Sequence, residues 1–412
     1  MNNIRTIDLF AGCGGLTEGF AQTGLYETEA CVEWEEAQCL NLRKRLKDKW
    51  GIEDANERVL RFDIQRTDEL INGYSDPKFG DSKGLKHYVG NSTDLIIGGP
   101  PCQAYSIAGR VRDEYNMQND YRNYLFESYL RVVNQFKPKA FVFENVPGLL
   151  SACPNGVRIP ELIKKEFSNA GYTIIDNLKD AVIDVADYGV PQHRKRIILL
   201  GLRDDCFGDR VDSIINEFYY SILPSFKSDK QLTIQDAIGD LPALYPLSVD
   251  SVEYGQKSSH TSCSDKVYNH TPRYHNARDI EIFRMLAADI EENRNQYTSI
   301  EARRRLYTEK TGKTSSIHKY NVLRWDAPST TIPAHLCKDG LRHIHPDSKQ
   351  ARSITVREAA RLQSFPDDYE FIGPYTDQYK MIGNAVPPEF ARRLAIAVYK
   401  ALFESKVFEV HP

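Results

Sequence analysis

Apolar residues cluster along this chain in short, nearly continuous runs. Those at 6–10, 30–32, 94–97, 140–143 and 197–200 are rich in Ile, Val, Leu and Phe. A strand with one face in water would alternate apolar and polar positions, so unbroken runs predict strands covered on both faces, as in a parallel sheet. Between them, 35–49 and 121–136 carry helical spacing. In the second of these, Leu125, Tyr129, Val132, Val133 and Phe136 fall along one stripe. Strands alternating with helices predict a doubly wound α/β domain over 1–202. From 203 to 347 the alternation stops, Tyr, His and Ser become frequent, and 277–293 is the one clear helical pattern. A second, smaller, irregular domain is expected there. The α/β character returns over 348–412, where 358–362 reads as helical and Pro388 opens a helix with Phe390, Leu394, Val398 and Ala401 on one face.

Composition narrows this picture. A chain of 412 residues with 41% hydrophobic content can fill a sizeable core. A net charge of −4 excludes a generally basic nucleic-acid coat and leaves room for a local basic face. No apolar run approaches the ~18 residues of a membrane span, so a cytoplasmic protein is expected. Eight cysteines are scattered without a CxxC pair, which suggests reduced thiols. That makes Cys102 conspicuous, because "GGPPCQAYS" (98–106) places it between two prolines and a polar loop, just beyond an apolar run.

The first run ends in "DLFAGCGGLTEGF" (8–20), a glycine-rich turn from strand to helix. Such a turn can be plain chain reversal or a seat for a ligand. Gly12 and Gly14 are present, but Thr17 stands where the dinucleotide fingerprint has its third glycine, which disfavours NAD and FAD. Glu33 follows the second run, where a carboxylate can accept hydrogen bonds from both hydroxyls of a ribose. A nucleoside ligand without pyrophosphate fits best, and S-adenosylmethionine is the natural candidate. Asp63 in "RFDI" could bind an adenine amino group or be an exposed strand-end carboxylate.

Cys102 and Glu144 ("FENVPG") both fall at the carboxyl ends of expected strands, where open α/β sheets bind ligands. An exposed, partly ionised thiol suits nucleophilic catalysis. A carboxyl beside it can act as an acid or hold a protonated ring nitrogen, although alone it would read as a helix cap. In "QHRKR" (192–196), Gln192, Arg194 and Arg196 share one face if the segment is extended. Two guanidiniums together want an anion or carbonyl oxygens; a solvated basic edge is the alternative.

Six segments in this order, "DLFAGCGGLTEGF", "GGPPCQAYS", "ENVPGLL", "QHRKR", "TVREAARLQSFP" (355–366) and "GNAVPP" (383–388), resemble the bacterial-type DNA (cytosine-5)-methyltransferase family. The resemblance covers nearly all of the chain outside its irregular middle. It implies a Rossmann-like, S-adenosylmethionine-dependent catalytic domain that opens with residues 1–202, a target recognition domain over 203–347, and a return at 348–412 that completes the cofactor pocket through Asn384 and Val386. It implies catalytic roles for Cys102, Glu144, Arg194 and Arg196. Phe10, Ala11, Gly12, Gly14, Gly15, Leu16, Glu33, Trp34, Asp63, Ile64 and Pro100 would join Asn384 and Val386 around the cofactor. DNA contacts would come from Gln103, Ser106, Arg110, Arg112, Gln192, Thr331 and Ile332, with 107–121 as a lid over a flipped cytosine. No metal is implied. The partner is double-stranded DNA, the protein is expected to be a monomer, and a cognate restriction endonuclease could accompany it.

Some features are particular to this chain. Tyr105 stands where the family often has Phe. About thirty residues separate Asp63 from Asp94, and the Gly, Asp and Ser content of 73–90 reads as a surface insertion with no assigned role. Residues 303–324 hold seven Lys or Arg against one acid, Glu309, so Arg303, Arg304 and Arg305 are expected to meet DNA phosphates unless they merely solvate a charged helix. His260, Cys263, His270 and His275 match no common zinc spacing. An RNA methyltransferase with the same chemistry, or an inactive binding module, are the competing functional classes. The long middle region favours DNA over RNA, and the intact Cys102, Glu144, Arg194 and Arg196 set favours an active enzyme.

Overall fold

The computed structural model describes residues 3–101, 125–253, 256–262, 267–315, 319–338 and 340–404. The chain divides into two compact units. The first comprises Met1–Gly189, Arg194–Asp229 and Ala385–Pro412, the second Val190–His193 and Lys230–Asn384. Strands of the first unit's main sheet are β1 (Ile4–Leu9), β2 (Tyr26–Glu33), β3 (Val59–Arg61), β4 (Leu95–Gly98), β5 (Ala140–Asn145), β6 (Tyr172–Thr173), β7 (Val182–Asp184) and β8 (Lys195–Arg203). The longer helices along the whole chain are α1 (Gly15–Ala21), α2 (Glu36–Asp48), α3 (Leu125–Phe136), α4 (Ile159–Asn169), α5 (Val211–Glu217), α6 (Ala277–Glu291), α7 (Ile300–Thr311), α8 (Val356–Leu362), α9 (Tyr375–Asn384) and α10 (Pro388–Tyr399).

The sheet order is β3-β2-β1-β4-β5-β8-β6, with β7 paired to β8. From β3 to β5 all pairings are parallel. Every residue of β4 is buried, and β5 is buried except at Glu144. Successive side chains point to opposite faces, so this pattern means that both faces are covered, as the unbroken apolar runs require. The chain order reverses at β1, which lies between β2 and β4, and such a reversal opens a crevice at the carboxyl ends of the strands. Helix α3 buries the stripe Leu125, Tyr129, Val132, Val133 and Phe136. Helix α10 buries Phe390, Leu394 and Val398 and lies so close to α1 that a Cβ on Gly19 would stand 2.4 Å from that of Ala391.

The run at 197–200 departs from a purely parallel sheet. β8 is antiparallel to β5, with Ile198 opposite Glu144 and Ile197 opposite Asn145. A parallel strand there would have carried Arg194 and Arg196 to the far edge of the sheet. Running backwards, β8 begins where β5 ends, so its first residues reach the carboxyl edge.

The units also divide at other points than 203 and 347. Residues up to Asp229 belong to the first unit because Tyr219 is locked onto β8: its hydroxyl donates to Ile198 O and accepts from Leu200 N, both at 2.8 Å. Arg393 of α10 then holds Phe226 O and Ser228 Oγ at 2.7 and 2.8 Å. At the other end, 348–384 folds with the second unit. That unit also holds more helix than the single pattern at 277–293 suggested, α7 included. An apolar cluster of Ile282, Phe283, Leu286, Leu306, Tyr320, Val322 and Ile344 joins α6 and α7 to the chain that follows them.

The rest of the second unit's interior is polar. Arg352, fully buried, donates to both oxygens of Glu358 at 2.7 and 2.6 Å and to Gln350 Oε1. Glu358 in turn caps α8, accepting from Thr355 N at 2.7 Å. Burial alone would raise this carboxyl, but the Arg352 fork outweighs it and holds the group well below the usual carboxylate range. His260, His275 and His345 are buried and pushed down to about 4, 3 and 3, chiefly by desolvation. His260 bonds Ser259 Oγ and Gln350 O, His270 bonds Thr355 Oγ1 and Pro242 O, and His275 meets Ser353. These imidazoles serve the core's hydrogen bonding, and no group of metal-binding residues forms among the described residues. Cys263 lies outside them.

Candidate active site

The carboxyl edge of the first unit's sheet gathers most of the sequence-predicted residues. After β1 the chain turns sharply, with Phe10, Gly12 and Gly14 at φ 60, 60 and 85°. Left-handed backbone suits glycine, and at Phe10 it marks local strain of the kind found at ligand-binding turns. Space requires the glycines too, since a Cβ on Gly14 would lie 2.5 Å from Leu42 Cδ1 and one on Gly15 would lie 2.2 Å from Val386 O. Ala11 and Leu16 are buried in the turn and Val386 lies against it. Asn384 is exposed and belongs to the second unit.

Glu33 ends β2 beneath this turn and accepts from Gly12 N at 2.8 Å and from Glu35 N at 2.7 Å. Burial raises its carboxyl, opposed by those backbone donors. The Trp34 backbone N–H is a third donor to this carboxylate, and a carboxylate has about four acceptor positions, so one remains for a further donor. Asp63 follows β3 and accepts from Gln65 N at 3.1 Å; Ile64 is buried beside it. Two buried oxygens at the turn have no hydrogen-bond partner among the described residues: Asp8 Oδ1 and Gln38 Oε1. Burial pushes the Asp8 carboxyl up to about 7, against donation from Thr17 Oγ1 at 2.5 Å to its other oxygen. A Cβ on Gly12 would stand 3.0 Å from Gln38 Oε1. The open left-handed turn, the acidic strand ends and the unmatched acceptors fit a nucleoside-bearing ligand with hydroxyl and ammonium donors.

On the other side of β1, β4 ends at Gly98, and Gly99, Pro100 and Pro101 lead out of the sheet. Gly99 is needed there, because a Cβ would lie 2.5 Å from Glu144 Oε2. Asn145 Nδ2 fixes Pro100 O at 3.2 Å. The other oxygen of Glu144, Oε1, accepts from Arg196 Nε at 2.8 Å, each side chain being 14% exposed. This ion pair can still meet a ligand. Burial pulls Arg196 below its ordinary value, opposed by Glu144, and pulls down Arg194, 2% exposed, further still. Cys102, Gln103, Ser106, Arg110 and Arg112, with the expected lid at 107–121, lie outside the described residues.

Gln192 departs from the shared face expected of "QHRKR". It is fully buried in the second unit, where Nε2 donates to Leu362 O and Gln363 Oε1 at 3.1 and 2.9 Å and Oε1 accepts from Ile332 N at 2.8 Å. With its amide so engaged it is a structural tie, not a DNA contact. Ile332 is likewise fully buried, while Thr331 is exposed, its hydroxyl on His193 O at 2.8 Å. The three arginines of α7 separate: Arg304 and Arg305 are exposed, whereas Arg303 turns inward onto Asn321 Oδ1 and Ser299 O. Sequence reasoning missed Asp8, Gln38, Gly99 and Asn145. Only the doubled glycine at 98–99 gave any signal, by leaving room for a neighbour.

The glycine turn after β1 and the Glu144–Arg196 pair thus stand at the carboxyl edge beside the switch point, where open α/β sheets bind ligands. A family model for C-5 cytosine-specific DNA methylases matches residues 4–400. The type II methyltransferase M.Bpa9945I of Bacillus paralicheniformis is 38% identical over 95% of this chain and 98% of its own length. The type II methyltransferase M.AgeI of Thalassovita gelatinovora is 30% identical over 97% of this chain and 100% of its own. The S. pombe Dnmt2 methyltransferase structure aligns with a TM-score of 0.55 at 14% identity, covering 97% of this chain and 100% of that one, a likeness of fold alone. The chain belongs to the C-5 cytosine-specific DNA methylase family and is a DNA (cytosine-5)-methyltransferase.

Proposed function

We propose that the protein methylates C5 of a cytosine flipped out of duplex DNA, at a specific sequence, through a transient bond between Cys102 Sγ and C6. The observation that carries this reading is the convergence at one sheet edge of Glu144, Arg196 and residues 98–101, which immediately precede Cys102 in the sequence. S-adenosylmethionine, when bound over Gly12 and Glu33, supplies an electrophilic methyl group. C5 of cytosine is too weak a nucleophile to take it unaided. Cys102 thiolate adds to C6, Glu144 holds a proton at N3, and the ring becomes an enamine whose C5 can attack. Arg196 keeps Glu144 oriented, and Arg194 adds positive charge where O2 of the ring gains electron density. Loss of the C5 proton then expels Cys102 and restores the aromatic ring. The chemistry needs both faces of the base, hence extrusion from the stack.

The middle of the chain is the reading's recognition region, with Arg304, Arg305 and Thr331 at the DNA and Arg303 behind them. No helix among the described residues is long and apolar enough to cross a membrane. The reading places a monomer in the cytoplasm, beside a cognate endonuclease if the protein serves restriction and modification. Incubation with methyl-labelled S-adenosylmethionine, followed by sequencing of the product, tests it. Label at one cytosine of one duplex sequence is expected. Label in tRNA and none in duplex DNA would move the assignment to RNA. Cys102→Ser should abolish turnover and leave cofactor binding intact.

A further inference from the structure

The insertion at 73–90 has a defined place. Tyr74–Asp76 and Gly80–Ser82 pair as an antiparallel ribbon, with Tyr74 opposite Ser82 and Asp76 opposite Gly80. Its turn is read directly from "DPKFG": Asp76 Oδ1 accepts from Lys78 N and Phe79 N at 2.8 and 3.1 Å, and Gly80 takes φ 78°. The ribbon is anchored on the chain just past β3. Tyr74 stacks on Phe62 at 3.8 Å between centroids, Arg66 lies over the Phe62 ring at 4.7 Å, and Arg66 pairs with Asp76 at 2.5 Å.

This anchoring brings the turn to Trp34, the residue after Glu33. Phe79 meets the Trp34 ring edge-on at 5.5 Å and Phe62 at 5.2 Å. Lys78 Nζ stands 4.1 Å from the centre of the Trp34 ring. Trp34 is still 42% exposed, so its ring is held on one side and open on another. A large aromatic that directly follows Glu33 and is braced by Phe79 is a stacking surface for a heteroaromatic ring.

We infer that the ribbon 74–82 is the outer wall of the adenosine end of the cofactor site, with Phe79 and Lys78 as positioning residues that set the Trp34 ring. The inference rests on the proposed use of S-adenosylmethionine. Calorimetry with S-adenosylhomocysteine tests it on the full chain. Phe79→Ala should raise Kd about three- to tenfold, the scale of one missing aromatic pair. KM for the cofactor should rise while kcat at saturation and KM for DNA stay unchanged, and Phe79→Tyr should restore binding. Lys78→Ala, at an exposed position, should raise Kd by a smaller factor and keeps the test usable if Phe79→Ala does not fold. Wild-type Kd in both variants, or a drop in kcat with Kd unchanged, overturns the wall. If wild-type protein does not bind S-adenosylhomocysteine, the cofactor reading itself has failed and the wall falls with it.

Discussion

In the first unit the central strands bury Leu95, Ile96, Ile97, Phe141, Val142 and Phe143, and the polar groups with chemistry to do stand at strand ends. In the second, Arg352, Glu358, Gln192, Gln363 and the five histidines His260, His270, His275, His343 and His345 are buried, and no large sheet forms among the described residues. A sheet satisfies its own backbone, so an apolar interior suffices and its edge is free to carry a site. Irregular backbone must instead be satisfied by side chains. Arg357, fully buried, shows this by donating to Tyr268 O, Pro366 O and Tyr369 O. The cost is that such a core depends on every partner being present.

The largest expected effect breaks the chemistry at the edge and spares both folds. Glu144→Gln removes the proton held at N3 and should lower kcat by about a hundred- to ten-thousandfold, with S-adenosylhomocysteine affinity unchanged by calorimetry. Retention of kcat would take Glu144 out of the mechanism. Next, Arg352→Met leaves Glu358 as an uncompensated buried charge, which costs about 3–5 kcal/mol in urea unfolding. Adding Glu358→Leu should recover some of that loss. A cost below about 1 kcal/mol would mean that the pair does not hold the second unit together.

The two units should also respond to pH with opposite signs. His260, His275 and His345 have folded values depressed to about 4, 3 and 3 from an ordinary 6.5, so the unfolded chain takes up protons first on acidification. Their contribution is lost as pH falls from about 6.5 towards 4, by up to about 1.4 kcal/mol per pH unit for each. Asp8, raised from 3.8 to about 7, does the reverse, and its contribution is lost as pH rises through that range. Hydrogen exchange at pH 4.5 and 7.5, corrected for intrinsic rates, should show peptides around His345 opening in acid while those of β1 become more protected. Parallel behaviour of both would refute the contrast.

Smaller effects sharpen the division of labour. Glu33→Ala should weaken cofactor binding roughly ten- to a hundredfold, the loss of a hydrogen bond to a charged group. An unchanged Kd would assign Glu33 to the turn alone. Arg304→Ala with Arg305→Ala should flatten the salt dependence of DNA binding by up to ~0.9 log unit for each phosphate no longer neutralised, and leave the methylated sequence unchanged. A relaxed sequence would mean that these arginines read bases.

Much of the first unit was legible in the chain. Continuous apolar runs have one economical solution, a sheet covered on both faces, and turns at strand ends follow from glycine and proline. The candidates Glu33, Asp63 and Glu144 are therefore found by asking which polar residue ends each run. Other matters are invisible to a one-dimensional pattern. The direction of β8 is one: an apolar run reads the same either way, and only its pairing with β5 brings Arg196 to Glu144. Gln192 is another, because spacing alone suggested a shared face and long-range packing against Leu362, Gln363 and Ile332 made it a tie. The separation of Arg303 from Arg304 and Arg305 depends on Asn321, eighteen positions away from it. Local sequence thus determined which segments are strands, helices and turns, since backbone and solvent preferences act within a few residues. Which of their ends meet was decided by tertiary structure, because each meeting depends on partners far apart in the chain.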